Sequence, residues 1–130
     1  MKNTYKIIGY HETCGDKFFK IAITNQDGDT HTDIFSEVTL MKFAQAMERK
    51  NAKFEIDEEN EELVNELSQL AYIEVVEDEE DEKPVFDIYI HKFIADEDVL
   101  EYDVAGEYLK SYKTEKGAMN FAKKEKYPII

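Results

Sequence analysis

Four side chains in the sequence could ligate a soft metal such as zinc: His11, Cys14, His31 and His91. Four donors suffice for a closed tetrahedral site, but structural zinc sites bring theirs in short pairs such as CxxC or HxxxH. Here only His11 and Cys14 are near neighbours, so His11-Glu12-Thr13-Cys14 reads as a turn with an incidental thiol. A Cys14 nucleophile served by His11 would need an oxyanion hole and a third group to orient the base, and nothing in the sequence marks either. Asn25, Asp27, Asp29 and Asp33 crowd oxygen donors around Gly28. The order fails for an EF-hand, whose glycine follows the third ligand and whose loop closes on a glutamate, so the segment reads as a hairpin turn. The 5 glycines form no phosphate-cradling GxGxxG or GxxxxGK pattern. No serine sits in a nucleophile elbow. Paired carboxylates serve glycoside and metal chemistry, but 30 acids among 130 residues deprive each pair of specificity. The expectation is a non-enzyme with no catalytic residue, no metal and no cofactor.

The acids themselves are the informative residues. Glu55, Asp57, Glu58, Glu59, Glu61, Glu62, Glu66, Glu74, Glu77, Asp78, Glu79, Glu80, Asp81 and Glu82 lie between Phe54 and Glu82 with no Lys or Arg among them. These fourteen carry the whole net charge of −14, and the remaining 16 acids balance the 16 bases. Such a field repels nucleic acid and anionic membrane alike and favours a cationic partner. From Gly106 onward the balance reverses, with Lys110, Lys113, Lys116, Lys123, Lys124 and Lys126 against Glu107, Glu115 and Glu125. Tyr108, Tyr112 and Phe121 are interleaved with these lysines, as in a nucleic-acid face, but they fall at strand and helix core spacing.

The elements that must position these acids follow from periodicity. Lys6–Tyr10 reads as a strand ended by a polar loop, His11 to Asp16. Phe19, Ile21 and Ile23 alternate onto one face of a strand over 18–24, Asp27-Gly28 turns it, and Thr30–Phe35 returns. Ser36 is a good N-cap, Phe35 and Leu40 sit at staple spacing, and Leu40, Phe43, Ala44 and Met47 form a helical stripe that Asn51 can end. Ala52–Ile56 is a short strand. Asp57 would cap a second helix to about Tyr72, with Leu63, Leu67, Leu70 and Ala71 inward and glutamates outward, favoured by the helix dipole in the first turns. Ile73–Val76 returns as a strand. Six adjacent acids, Glu77 to Glu82, should then form a solvated linker before Pro84. Val85–Ile90, Val99–Val104 and Glu107–Tyr112 read as strands, and Thr114 caps a last helix with Ala118, Met119, Phe121 and Ala122 inward.

The fold class expected is α+β: two β-β-β-α-like units, antiparallel sheets with packed helices, joined by an acidic helix and linker. Its divisions are 1–76, a linker at 77–83, and 84–130. A single cysteine precludes an internal disulfide, the opening residues lack a signal-peptide apolar run, and no run approaches the ~18 apolar residues of a membrane span, so a cytoplasmic protein is expected. The charge map favours a non-enzymatic protein-binding module. Its concrete form is a phage- or mobile-element-encoded inhibitor, DNA-mimic-like, that masks a basic surface on a nuclease or other nucleic-acid-handling protein. The partner-binding residues would be Glu55, Asp57, Glu58, Glu59, Glu61, Glu62, Glu66, Glu77, Asp78, Glu79, Glu80, Asp81 and Glu82. The alternative is a small phage structural or accessory protein whose acidic stretch serves only solubility.

Overall fold

The computed structural model describes residues 3–130, with eight strands and three helices in mixed α+β order. They form two compact units, one of residues up to Leu70 together with Phe93–Glu101, the other of Ala71–Lys92 with Tyr102–Ile130. These divisions depart from the expected ones, because strand pairing and not sequence proximity decides which segments share a core.

In the first unit β1 (Thr4–Thr13) pairs antiparallel with β2 (Asp16–Thr24), and β2 with β3 (Thr30–Ser36). The expected loop at His11–Asp16 is instead a continuation of both strands around a two-residue turn, Cys14-Gly15, whose φ angles of 53° and 82° match the right-handed twist of the hairpin. The alternation in β2 holds, with Phe19, Ile21 and Ile23 all buried. Helix α1 (Glu37–Glu48) begins where Ser36 Oγ accepts the Thr39 amide at 3.3 Å, and the chain leaves it through Asn51 at φ 57°. Its apolar stripe buries Leu40, Met41, Ala44 and Met47, while the Phe43 ring lies 5.1 Å from Tyr5 and 5.8 Å from Phe54.

The next strand is shorter than expected: β4 is only Glu55–Ile56, parallel to β1 and antiparallel to β7 (Val99–Tyr102) at Val99. The second helix also shrinks. Asp57 does not cap it: its Oδ1 accepts the Glu59 amide in a turn ahead of the helix, and its own amide is given to the Ile7 carbonyl at 2.9 Å. Asn60 caps instead, its Oδ1 accepting from Leu63, and α2 (Glu61–Leu67) spans 7 residues. Leu63 and Leu67 are buried on it as expected, whereas Leu70 is buried beyond its end and Ala71 belongs to the next strand.

That strand, β5 (Ala71–Glu80), is the main departure. It pairs antiparallel with β6 (Lys83–Asp96) in unbroken register from Ala71↔Lys92 to Glu80↔Lys83. The linker expected at 77–83 is therefore a hairpin tip, turned at Asp81-Glu82 with φ 52° and 64°. Adjacent acids were expected to repel one another out of regular structure. In a strand they point alternately to opposite faces, so same-face neighbours are about 7 Å apart and screened by solvent. The backbone ladder to β6 outweighs what repulsion remains. Pro84 is tolerated within β6 because it lies beyond Phe86↔Tyr112, the end of the pairing with β8 (Glu107–Tyr112).

The recurrence of β-β-β-α thus holds in element order but not in pairing. The second unit's sheet is β5-β6-β8, and α3 (Glu115–Lys124) packs on it over Ala71, Ile73, Ile88, Ile90, Ala118 and Ala122. Thr114 caps α3 as expected, with its Oγ1 3.1 Å from the Gly117 amide. The strand expected over Val99–Val104 stops at Tyr102 and pairs within the first unit at Val99. No helix among the described residues is long and apolar enough to cross a membrane.

Candidate functional site

The structure divides the expected acidic belt between the two units. In the first, Glu55 is exposed on β4 opposite Lys6, and Asp57 accepts the Glu59 amide at 3.3 Å in the turn before α2. Glu58, Glu59, Glu61 and Glu62 are exposed around the helix start. Glu66 faces inward. Its Oε2 lies 2.9 Å from Lys17 Nζ of β2, an ion pair whose alignment falls short of a hydrogen bond at that otherwise buried oxygen. The Glu66 carboxylate holds the Lys17 ammonium above its ordinary value, and burial, followed by the charge of Glu66, pushes up the Tyr10 phenol beside them. So the long acidic helix face reduces to two exposed carboxylates, Glu61 and Glu62, and one carboxylate engaged internally.

In the second unit Glu77, Asp78, Glu79, Glu80, Asp81 and Glu82 are all exposed along the outer half of β5 and its turn. No ion pair joins them to a base among the described residues. Glu77, Asp78, Glu79 and Glu82 line a shallow, open depression with Pro84. Glu74, at the inner end of the same strand, is engaged: its Oε1 lies 3.0 Å from His91 Nε2, while His91 Nδ1 lies 2.8 Å from the Asp103 carbonyl oxygen. The His91 ring is 2% exposed, stacked on Tyr72 at 4.6 Å, with Gly106 against its other side.

The soft donors are not brought together. His11 bonds Thr13 through Nε2, His31 is exposed on β3, Cys14 is a free exposed thiol in a turn, and His91 is engaged as above. No group of three or more His, Cys, Asp or Glu among the described residues is placed to hold a metal ion. The interleaved aromatics of the tail separate by face. Tyr112 and Phe121 pack 5.8 Å apart against the core with the Lys110 ammonium over both rings, whereas Tyr108 is exposed and meets Tyr89 edge-on at 5.9 Å. Sequence reasoning missed exposed Tyr108 and Val76, with half-buried Tyr89, as an apolar set on the β5-β6-β8 sheet. The period-2 pattern of β5, with Tyr72, Glu74, Val76 and Asp78 sharing one side, was the signal available. No known protein family, curated protein or solved structure matches this chain.

Proposed function

We propose that the protein is a non-enzymatic acidic module that binds and masks a cationic, nucleic-acid-binding surface of a partner protein. The observation that carries this reading is the β5–β6 hairpin tip, where Glu77 to Glu82 are exposed and, among the described residues, paired with no base. Successive carboxylates of a strand fall on opposite faces, so Glu77 and Glu79 stand about 7 Å apart on one face and Asp78 and Glu80 on the other, each pair held in place by pairing to β6 and offered to a groove built for phosphates. Fixed charge of this kind speeds association with a basic surface and makes it sensitive to salt.

The test is capture of partners from host lysate, followed by titration of the purified partner at low and high salt. A basic protein that duplex DNA displaces is the expected partner. Affinity should fall steeply with salt, and by about tenfold or more when Glu77, Glu79, Glu80 and Glu82 are changed together to Gln. The same changes at Glu58, Glu61 and Glu62 should cost less. An interaction that is indifferent to salt and to the hairpin changes overturns the proposal.

A further inference from the structure

Strand β5 closes one side of its sheet, and its outward edge is only partly used. Ile73 donates its amide to the Pro128 carbonyl at 2.8 Å and accepts from the Ile130 amide at 2.9 Å, a parallel bridge to Ile129. Ile73 thus points its backbone groups away from β6. The register to β6 runs without a bulge, so Val75, Glu77 and Glu79 point theirs the same way. The closing pair Glu80↔Lys83 of the two-residue turn agrees with that phase. Among the described residues nothing pairs with this edge beyond Ile73. It presents the donor–acceptor sites of Val75 and Glu77 and the carbonyl of Glu79 to solvent, the Glu79 amide being given to Asp78 Oδ1 at 2.8 Å.

We infer that this edge, Val75 to Glu79, is a docking strand for an extended cationic segment of the partner, which adds to the sheet as a further strand. The inference rests on the proposed function and specifies how the cationic partner is held. An exposed edge invites pairing with any chain, and acidic side chains are a usual means of refusing it. Here the refusal is selective. A second copy of β5 would set carboxylates opposite carboxylates, and like charges across a pair destabilise it. A strand bearing Lys or Arg at alternate positions sets them all on one face, beside Glu77 and Glu79, and leaves its intervening residues to the face of Val76 and Asp78. The backbone then supplies affinity and the side chains supply the choice of partner. Val76, 37% exposed between the two ends of this set, gives one apolar contact.

The probe is a seven-residue peptide alternating Lys and Val, titrated against the isotope-labelled full chain, beside the same peptide N-methylated at every amide. The methylated peptide keeps its charge and cannot pair. The plain peptide should slow hydrogen exchange at the amides of Val75 and Glu77 and bind at least tenfold tighter than the methylated one. On the protein side, Glu77→Pro and Glu77→Gln lose the same charge, but only the proline loses the outward amide. The proline variant, its fold checked by circular dichroism, should bind the plain peptide more weakly than the glutamine variant. Equal binding of the two peptides without protection at these two amides overturns strand addition and leaves the electrostatic reading standing. Binding of neither peptide overturns both.

Discussion

At the scale of single residues, the sequence invites chemistry that the structure does not assemble. His91 looks like a quarter of a metal site, yet its ring is a packed structural piece, bonded at both nitrogens and held between Tyr72 and Gly106. Gly106 is required there twice over. Its φ is +83°, and a Cβ would fall 2.7 Å from His91 Cε1. Gly28 makes a useful contrast, at φ +87° with nothing within 4 Å of an added Cβ. Gly28→Ala should therefore cost only the left-handed backbone strain, about 1–2 kcal/mol. Gly106→Ala should cost that plus the clash with a ring that has no room to move, about 2–4 kcal/mol in all. Urea unfolding of the two variants measures the difference, and equal losses would show that the His91 ring yields freely. None of this was visible in the sequence, because the partners of His91 lie 17 residues before it and 12 after it.

Elements were legible where local pattern and tertiary pairing agree. The alternation of Phe19, Ile21 and Ile23, the Ser36 and Thr114 caps and the strand Glu107–Tyr112 each express a short-range rule, and each stands. The errors share a cause. Glu77 to Glu80 lack any intrinsic reason to form a strand and do so because β6 pairs with them, and α2 starts late because the Asp57 carboxylate is turned to the Glu59 amide and Asn60 caps instead. The candidate site was legible as a stretch of charge but not as a surface, since Glu66 and Glu74 are turned to Lys17 and His91. The Lys17–Glu66 pair, linking β2 to α2, carries its own consequence. The folded-state value of Lys17 is raised above its ordinary 10.5 by Glu66. Its contribution is therefore complete below that value and is lost as pH climbs through the raised one. Stability should decline on the alkaline side above about pH 10.5, and Glu66→Gln should flatten that decline while costing under about 1 kcal/mol at pH 7. Thermal melts of both proteins between pH 8 and 12 check this, and an alkaline limb unchanged in the variant would remove the pair as its cause.

For the molecule as a whole, the net charge of −14 opposes compaction, and most of the excess resides where no base of the described residues pairs with it. Two effects of added salt compete. Screening weakens the ion pairs Lys17–Glu66, Lys53–Glu101 and Lys92–Glu107, but the last spans 3.8 Å and partly exposed pairs are worth little each. Screening also relieves repulsion along Glu77–Glu82, whose same-face spacing of about 7 Å is shorter than the ~30 Å screening length at 10 mM salt and close to that at physiological ionic strength. The repulsive set is larger and, among the described residues, holds no ion pair, so relief wins. The melting temperature should rise by several degrees from about 10 mM to 0.5 M sodium chloride. Changing Glu77, Glu79, Glu80 and Glu82 together to Gln should raise the low-salt value and remove most of the salt dependence. A melting temperature that falls with salt would mean that the ion pairs, and not the hairpin, dominate the electrostatics of the fold. A rise that persists undiminished in the variant would place the repulsion elsewhere, around Glu55 to Glu62, and move the candidate binding surface with it.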